Sequence, residues 1–459
     1  MSAGLTPREL LALWLAKAAR RTLRLLGRGG TNFPGELAVK IAPELLGKLA
    51  RGVDIAAVSG TNGKTTCCRV LAQAYADAGI PCLANRSGAN LLAGITAEFA
   101  AAARLSGVPK YRKAVIECDE AAAKTVFRLL QPRVILYTNV FRDQLDRYGE
   151  VTHTLENLRF AASQAPDAVL CLNADDSLLA SLADALPNET RFYGVDAALP
   201  GAEAADELSD ARFCIRCRTP YEYDRRTYAH LGAYRCPQCG YRRPEPDVAV
   251  TAAAPDAEGS DLTLRIGDAE ISARFPLPAA YNIYNAAASA AALSALGFAP
   301  AAIRAALEGA SCGFGRLERF ALGGGVQMIL VKNPAGFNQV LRYLGTRTEP
   351  FRLCLALNDR AADGTDISWI WDVDFESLAG LQDRIAELIL SGTRAEELLL
   401  RLKYAGVDVS AARLERDGAA LTALLAAGDT PAVVVPTYTA MMALRPHLAK
   451  AAGKGEFWE

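Results

Sequence analysis

"VSGTNGKTTCCRV", residues 58–70, decides how this chain must be read. With "IAA" before it, the stretch gives an apolar strand, a glycine turn and the start of a helix. Gly60 and Gly63 let the backbone turn tightly, so that successive N–H groups can face anionic oxygens. A helix beginning near Lys64 adds its positive N-terminal end. Lys64 offers a point charge for terminal phosphates and Thr65 a hydroxyl ligand for Mg2+. The candidate ATP-binding stretch is therefore Gly60, Thr61, Asn62, Gly63, Lys64, Thr65 and Thr66. It is a shortened form of G-x-x-x-x-G-K-[ST], because Val58 stands where that pattern has its first glycine.

Strands alternate with helix-length segments on both sides of this loop. "KAVIECD", "PRVILYTNV" and "DAVLCLNADD" are apolar strands separated by stretches such as "AAAKTVFRLLQ". Such alternation predicts an α/β fold with a doubly wound parallel sheet and ligands beyond the carboxyl ends of the strands. Polar residues come last in each strand: Glu117, Asn139, and Asn173 with Asp175. A hairpin-like stretch "LTLRIGDAEISARF" and a helix from "YNIYNAAASAAALSAL" follow. A second alternation, "VQMILVKNP", "FRLCLALND", "RIAELILSG" and "AVVVPTYTA", predicts a further α/β domain after residue 315.

Composition narrows the function classes. The chain has 459 residues, 50 basic and 51 acidic, with a formal charge of -1, so a polyanion such as nucleic acid is not an expected partner. No stretch approaches the ~20 apolar residues needed to span a bilayer. The segment "LTPRELLALWLAKAARRTLRLLGRGG" is amphipathic and basic, with Arg20, Arg21, Arg24 and Arg28, and lacks the h-region of a signal peptide. It reads as a surface helix packed on the protein, and the whole as cytoplasmic.

Eleven cysteines, an odd number, disfavour a secreted disulfide framework. Four of them are patterned: "CIRC" and "CPQC" place Cys214, Cys217, Cys236 and Cys239 as two C-x2-C pairs at zinc-ribbon spacing. Four thiolates leave no coordination position for water, so the expected Zn2+ is structural. The three histidines, His153, His230 and His447, are too few and too scattered to suggest a self-contained Ser-His or Cys-His centre.

The loop G-T-N-G-K-T-T resembles the form found in the Mur ligase superfamily, and three further motifs agree in order. Glu117 in "VIECDE" is similar to the acidic magnesium ligand of that superfamily. "YNIYNAAAS" resembles its asparagine-bearing nucleotide motif, with Asn282 and Asn285, and "GFGRLER" its P-G-R-x-E linker, with Arg316 and Glu318. The resemblance implies ATP-dependent ligation, in which a carboxylate takes the γ-phosphate and an amine attacks the acyl phosphate. Positioning and charge neutralisation carry such a reaction, with Lys64 and Glu117 as candidate catalytic residues and Mg2+ on Thr65 and Glu117.

The cysteine module inside such a centre, with "TNVFRDQLDRYGE" (138–150), "VKNPAGFNQV" (331–340), "LNDRAADGTDISWIWDVDFE" (357–376) and "RLKYAGV" (401–407), is similar to the MurT subgroup. Members of that subgroup are the ligase-like subunits of lipid II isoglutaminyl synthases. The resemblance implies a helical segment 1–50, a central domain 51–315 with the zinc ribbon 212–243 inserted, and a Rossmann-like C-terminal domain 316–459. It also implies amidation of the α-carboxylate of D-glutamate in the peptidoglycan stem peptide to D-isoglutamine, with ammonia from a GatD-type glutaminase subunit. Membrane contact is then expected only through the lipid-linked substrate, at the inner face.

The chain has no G-x-C-x-G elbow of its own for glutamine hydrolysis. The subgroup implies that an aspartate of the C-terminal domain completes the partner's Cys-His pair, and Asp359, Asp363 and Asp366 are the candidates, unordered. Asp372 is also available in that run. An aspartate can orient an imidazole across an interface, but these residues also suit turns and helix caps. Trp369 and Trp371 fit interface anchors or core equally.

Two departures from ordinary Mur ligases stand out. Gln144 replaces the histidine after the third strand, and the carbamylated lysine has no clear counterpart. Asn139, Asp143 and Asp146 remain candidate polar residues of the cleft. The alternatives are a stand-alone Mur or folylpolyglutamate-type ligase that joins an amino acid to a carboxylate, and a non-catalytic ATP-binding scaffold.

Overall fold

The computed structural model describes residues 4–25, 32–85, 89–142, 151–199, 210–256, 258–311 and 316–454, with Arg316 described by its backbone alone. Arg28, Asp143, Gln144 and Asp146, singled out from sequence, lie outside the described residues.

Nine strands form the first sheet: β1 (Asp54–Ser59), β2 (Cys82–Ala84), β3 (Lys113–Glu117), β4 (Val134–Tyr137), β5 (Val169–Asn173), β6 (Thr190–Val195), and, after a separate hairpin of β7 (Glu222–Tyr228) and β8 (Leu231–Arg235), β9 (Val248–Pro255), β10 (Ser260–Ile266) and β11 (Ala269–Phe275). Their order is β11-β10-β9-β6-β5-β4-β1-β3-β2. The pairs from β2 through β9 are parallel, and β9, β10 and β11 close the edge as antiparallel neighbours.

The reason for this sheet is visible in β1. Ile55, Ala56, Ala57 and Val58 are all buried, as expected of a parallel strand covered on both faces. Side chains alternate between faces with period two, so Ala56 and Val58 join one core, with Val115 and Leu136, under the helices Lys64–Asp77 and Ala280–Ala295. Ile55 and Ala57 join the other core, with Ile116 and Tyr137, beneath the N-terminal helices. The helix Pro7–Leu25 belongs to that second layer, burying Ala12, Leu13 and Ala16. Among the described residues, no helix is long and apolar enough to cross a membrane.

A second sheet has six strands: β12 (Arg316–Phe320), β13 (Val326–Ile329), β14 (Phe351–Ala356), β15 (Ile385–Ser391), β16 (Arg413–Leu414) and β17 (Ala432–Pro436), in the order β12-β13-β17-β14-β15-β16. All pairs are parallel except β12 with β13.

The β7–β8 hairpin carries the four cysteines on its flanking turns and has its own small core of Tyr221, Tyr234 and Tyr241. It is clasped to the end of β5. Arg243 Nε donates to Asp175, Tyr284 Oη donates to Asp175 at 2.6 Å, and Tyr241 Oη donates to the Ser177 carbonyl at 3.0 Å. His230 lies fully buried against Asp176, with Nε2 3.5 Å from Oδ1. Asp175 thus ties the module, through Arg243, and the helix Ala280–Ala295, through Tyr284, to the end of β5, while Asp176 accepts from Val140 N at 2.9 Å and from Leu178 N at 3.0 Å.

Candidate functional site

Register brings the site together. Val58 of β1 pairs with Glu117 of β3, and Ser59 with Tyr137 of β4, so three strand ends open at the same level around the loop 60–63. Gly60 and Gly63 have φ of 118° and 88°, where only glycine is comfortable. Space demands glycine as well. A Cβ on Gly63 would lie 2.1 Å from Asn285 Oδ1, and one on Gly60 2.5 Å from Thr138 Oγ1.

The loop is fastened from outside. Asn62 N donates to Asn139 Oδ1 at 2.9 Å, and Asn139 Nδ2 donates to the Asn62 carbonyl at 3.1 Å. Phe141 N donates to Thr61 Oγ1 at 3.0 Å. Behind the loop, Asn285 Nδ2 donates to Asn282 Oδ1 at 2.9 Å, and Asn282 Nδ2 to the Pro278 carbonyl at 2.6 Å. The asparagine pair is thereby a buttress for Gly63. Asn333, from the second α/β region, donates through Nδ2 to Asn62 Oδ1 at 3.3 Å while its own Oδ1 caps the helix Pro334–Gly345.

Lys64 is buried and turned back on the loop. Its Nζ donates to the Gly60 carbonyl, to the Thr61 carbonyl at 3.3 Å and to Glu120 Oε1 at 2.8 Å. Burial alone pulls its pKa down, but the carboxylates of Glu120, Glu117 and Asp119 more than offset this, so it stands above the ordinary lysine value. Sequence reasoning missed Glu120, although it sits in the quoted "VIECDE". The available signal was a third carboxylate, three residues after the strand-end glutamate and next to Asp119.

A cavity of about 960 Å³ runs from Thr65 and Glu117 to Pro278, Glu318, Arg319 and Arg445. Glu117 is nearly buried, and its backbone is gripped by Asn85, which accepts from Glu117 N at 2.9 Å and donates to its carbonyl at 2.8 Å. The Thr65 hydroxyl and Glu117 carboxylate are hard oxygen donors on one wall, a set that suits Mg2+. The far wall is salt-bridged: Arg445 to Glu318 at 3.0 Å and Arg319 to Glu258 at 2.7 Å. Cys68 also lines the cavity, and burial, with Glu117 nearby, pushes its thiol well up, which favours the protonated form.

Cys214, Cys217, Cys236 and Cys239 converge, with all four sulfurs within 4.8 Å of one another. Cys217 and Cys236 are 3.4 Å apart, Cys214 and Cys239 3.6 Å, and none is in a disulfide. A tetrahedral zinc site with Zn–S near 2.3 Å places sulfurs roughly 3.8 Å apart, so the donors fit that ion.

The three candidate aspartates differ. Asp363 is buried and accepts from Thr439 N at 2.7 Å and from the Thr439 hydroxyl, fixing the start of the helix Tyr438–Ala451. Asp359 is paired with Arg394 at 2.6 Å, whose guanidinium holds its carboxyl below the usual range. Asp366 is exposed and, among the described residues, accepts only from its own turn, Ser368 N at 2.8 Å and Ser368 Oγ at 2.9 Å. Nearby Trp371 is 51% exposed and meets the exposed Tyr404 edge-on at 5.7 Å, whereas Trp369 is half-buried against Phe337. His153 and His447 are exposed and away from the cavity.

Comparison with known proteins agrees with this geometry. Residues 58–223 match the model of the Mur ligase middle domain, and residues 330–441 that of the MurT ligase C-terminal domain. The chain is similar to the lipid II isoglutaminyl synthase (glutamine-hydrolyzing) subunit MurT of Staphylococcus aureus (strain COL), 36% identical over 98% of this chain and 100% of that one. The subunit of the same name from Streptococcus pneumoniae (strain ATCC BAA-255 / R6) is 32% identical over 96% of each chain. Among solved structures, Mycobacterium tuberculosis folylpolyglutamate synthase complexed with ADP superposes with a TM-score of 0.61 at 15% identity, covering 95% of this chain and 98% of that one. End-to-end identity at this level, on a fold of Mur-ligase type, means that the chain belongs to the MurT family of Mur ligases.

Proposed function

We propose that the chain is the ATP-dependent ligase subunit of a lipid II isoglutaminyl synthase, amidating the α-carboxylate of D-glutamate in the stem peptide to D-isoglutamine. One observation carries the reading. Thr65, which follows the Gly60–Gly63 turn one residue on from Lys64, and Glu117 line one end of a cavity large enough for a nucleotide and an acceptor carboxylate. The two MurT relatives, similar along their whole length, carry the corresponding name.

The loop N–H groups and Lys64 would bind the ATP phosphates, with Lys64 exchanging Glu120 for phosphate oxygens. Asn139, Asn282 and Asn285 would hold the loop in shape. Thr65 and Glu117 would hold Mg2+, which when bound neutralises phosphate charge and aligns the γ-phosphoryl group. The acceptor carboxylate oxygen attacks the γ-phosphorus, ADP leaves, and ammonia then attacks the acyl carbon. A carbon–nitrogen bond forms, inorganic phosphate leaves, and the ammonia gives up one proton. Arg316, in the strand that borders the cavity, is a candidate for the nucleotide. The modules 1–50, 51–315 and 316–459 are the proposed working units, the last a Rossmann-like domain. Cys214, Cys217, Cys236 and Cys239 would hold Zn2+ in a ribbon of structural role, since four thiolates leave it no open position.

Ammonia would come from a GatD-type glutaminase. Of the candidates for completing its Cys-His pair, Asp366 is best suited, because its carboxylate is exposed and, among the described residues, is held only by Ser368 of its own turn. Asp359 is neutralised by Arg394 and Asp363 is occupied by Thr439. Exposed Trp371, Tyr404 and Leu400 nearby offer apolar anchors for that subunit.

The test supplies ATP and a D-glutamate-containing muropeptide with either ammonium alone, or glutamine plus the glutaminase subunit. A product in which OH has become NH2, formed from ammonium alone, and from glutamine only with the partner, is expected. A larger mass gain with an added amino acid and no amidation would point instead to an ordinary amino-acid ligase.

A further inference from the structure

The helix Pro7–Leu25 buries one face and leaves another apolar. Leu11 and Trp14 are each 50% exposed, Leu15 37% and Leu25 80%. At about 100° per residue these four and Ala18 fall within an arc of roughly 100°. A second segment extends the stripe. Trp14 Nε1 donates to the Leu105 carbonyl at 2.9 Å, which sets the exposed Leu105 and Val108 beside the helix.

The border of this patch is cationic. Arg8, Arg21 and Arg24 on the helix, and Arg104 and Lys110 on the adjoining loop, are exposed. Lys17, which reaches the Ala103 carbonyl at 2.6 Å, has its pKa drawn down by burial and then by Lys110 and Arg20. Arg20 is paired with Glu98 at 3.1 Å. Within residues 7–25 and 103–110 the sole acid is Glu9, whose carboxylate is engaged by Thr6 N at 2.8 Å. This concentration contrasts with the chain's overall charge of -1.

We propose that the face formed by Leu11, Trp14, Leu15, Leu105 and Val108, with its fringe of Arg8, Arg21, Arg24, Arg104 and Lys110, lies directly on an anionic lipid surface. A convex apolar stripe with an indole at its edge and arginines beside it matches a helix lying in the membrane–water interface. Anionic headgroups supply the charge that the fringe lacks, each contact with Lys or Arg adding to attraction. A protein groove would have to match the stripe and present an almost purely acidic rim. This contact needs no lipid-linked acceptor, so it stands or falls separately from the amidation reading.

The full chain is sedimented with vesicles of phosphatidylcholine alone or with added phosphatidylglycerol, in the absence of any muropeptide. Binding only to the phosphatidylglycerol vesicles, weakened by salt, is expected. Arg21→Gln with Arg24→Gln should lower partitioning roughly 10- to 30-fold, and Leu11→Glu should remove it, with ATP turnover retained as the check on folding. Absence of binding to anionic vesicles, or binding undiminished in both variants, would overturn the proposal. Loss of affinity for the glutaminase subunit in these variants, with vesicle binding unchanged, would assign the face to a protein instead.

Discussion

Lys64 and Glu120 form a buried ion pair, 2.8 Å apart, inside the turn that the sequence marks as a phosphate loop. In this state the lysine's charge is satisfied by the protein itself. A nucleotide phosphate bound by Lys64 would therefore have to replace a carboxylate, and a neutral side chain at position 64 would leave Glu120 buried without this cation.

Lys64→Met should abolish ATP turnover and also destabilise the fold by about 3–5 kcal/mol, the usual cost of leaving half a buried pair. Adding Glu120→Gln should recover most of that stability while turnover stays lost. Urea unfolding and ATP hydrolysis on the two variants check both halves. Turnover near the wild-type rate in Lys64→Met would refute the loop assignment.

The same pair has a pH signature. The folded-state pKa of Lys64 lies above the ordinary 10.5. A raised folded pKa means a stabilising contribution fully present below the unfolded value and lost as pH rises through the folded one. The stability gap between wild type and Lys64→Met should thus hold steady from neutral pH up to 10.5 and shrink above it. Denaturant midpoints on both sides of that pH measure it, and a gap that widens with alkalinity would contradict the pairing.

Asn139→Ala removes both hydrogen bonds to the Asn62 backbone. With Asn139 buried, the loss should cost about 1–3 kcal/mol. The loosened loop should raise KM for ATP by roughly tenfold, since about 1.4 kcal/mol of binding is a factor of ten. Initial-rate kinetics decide the point, and an unchanged KM would mean that the loop holds its shape without this residue.

Cys236→Ser should lose metal and stability together, because metal binding in such a module is folding free energy. Metal analysis alongside thermal unfolding tests this. Zinc lost with an unaltered melting temperature would rule out a structural ion.

Asp366→Asn should depress glutamine-driven amidation by on the order of 10²–10⁴, as when a triad aspartate is neutralised, and spare ammonium-driven amidation. Asp363→Asn should act differently, lowering stability through its contacts with Thr439. Comparing the two nitrogen sources for each variant separates the roles. Equal loss with ammonium and glutamine in Asp366→Asn would remove it from the partner's site.

Much was legible in the sequence because it is written in short, local patterns. Glycine at positive φ, four apolar residues in a row at 55–58, and two C-x2-C turns each act over a few residues, so spacing alone exposes them. The pairing of Lys64 with Glu120 spans 56 residues, and that of Asn62 with Asn333 spans 271. Arg445 meets Glu318 on one wall of the cavity only because β12 and the last helix converge. Asp175 looked like chemistry at a strand end, yet Arg243 and Tyr284 claim it. Which elements form, and which residues come together in the Gly60–Gly63 turn and the four-cysteine cluster, follow from near neighbours along the chain. Which carboxylates are spent on cations and which remain exposed is set by the three-dimensional fold, because charges pair by distance in space and not along the chain.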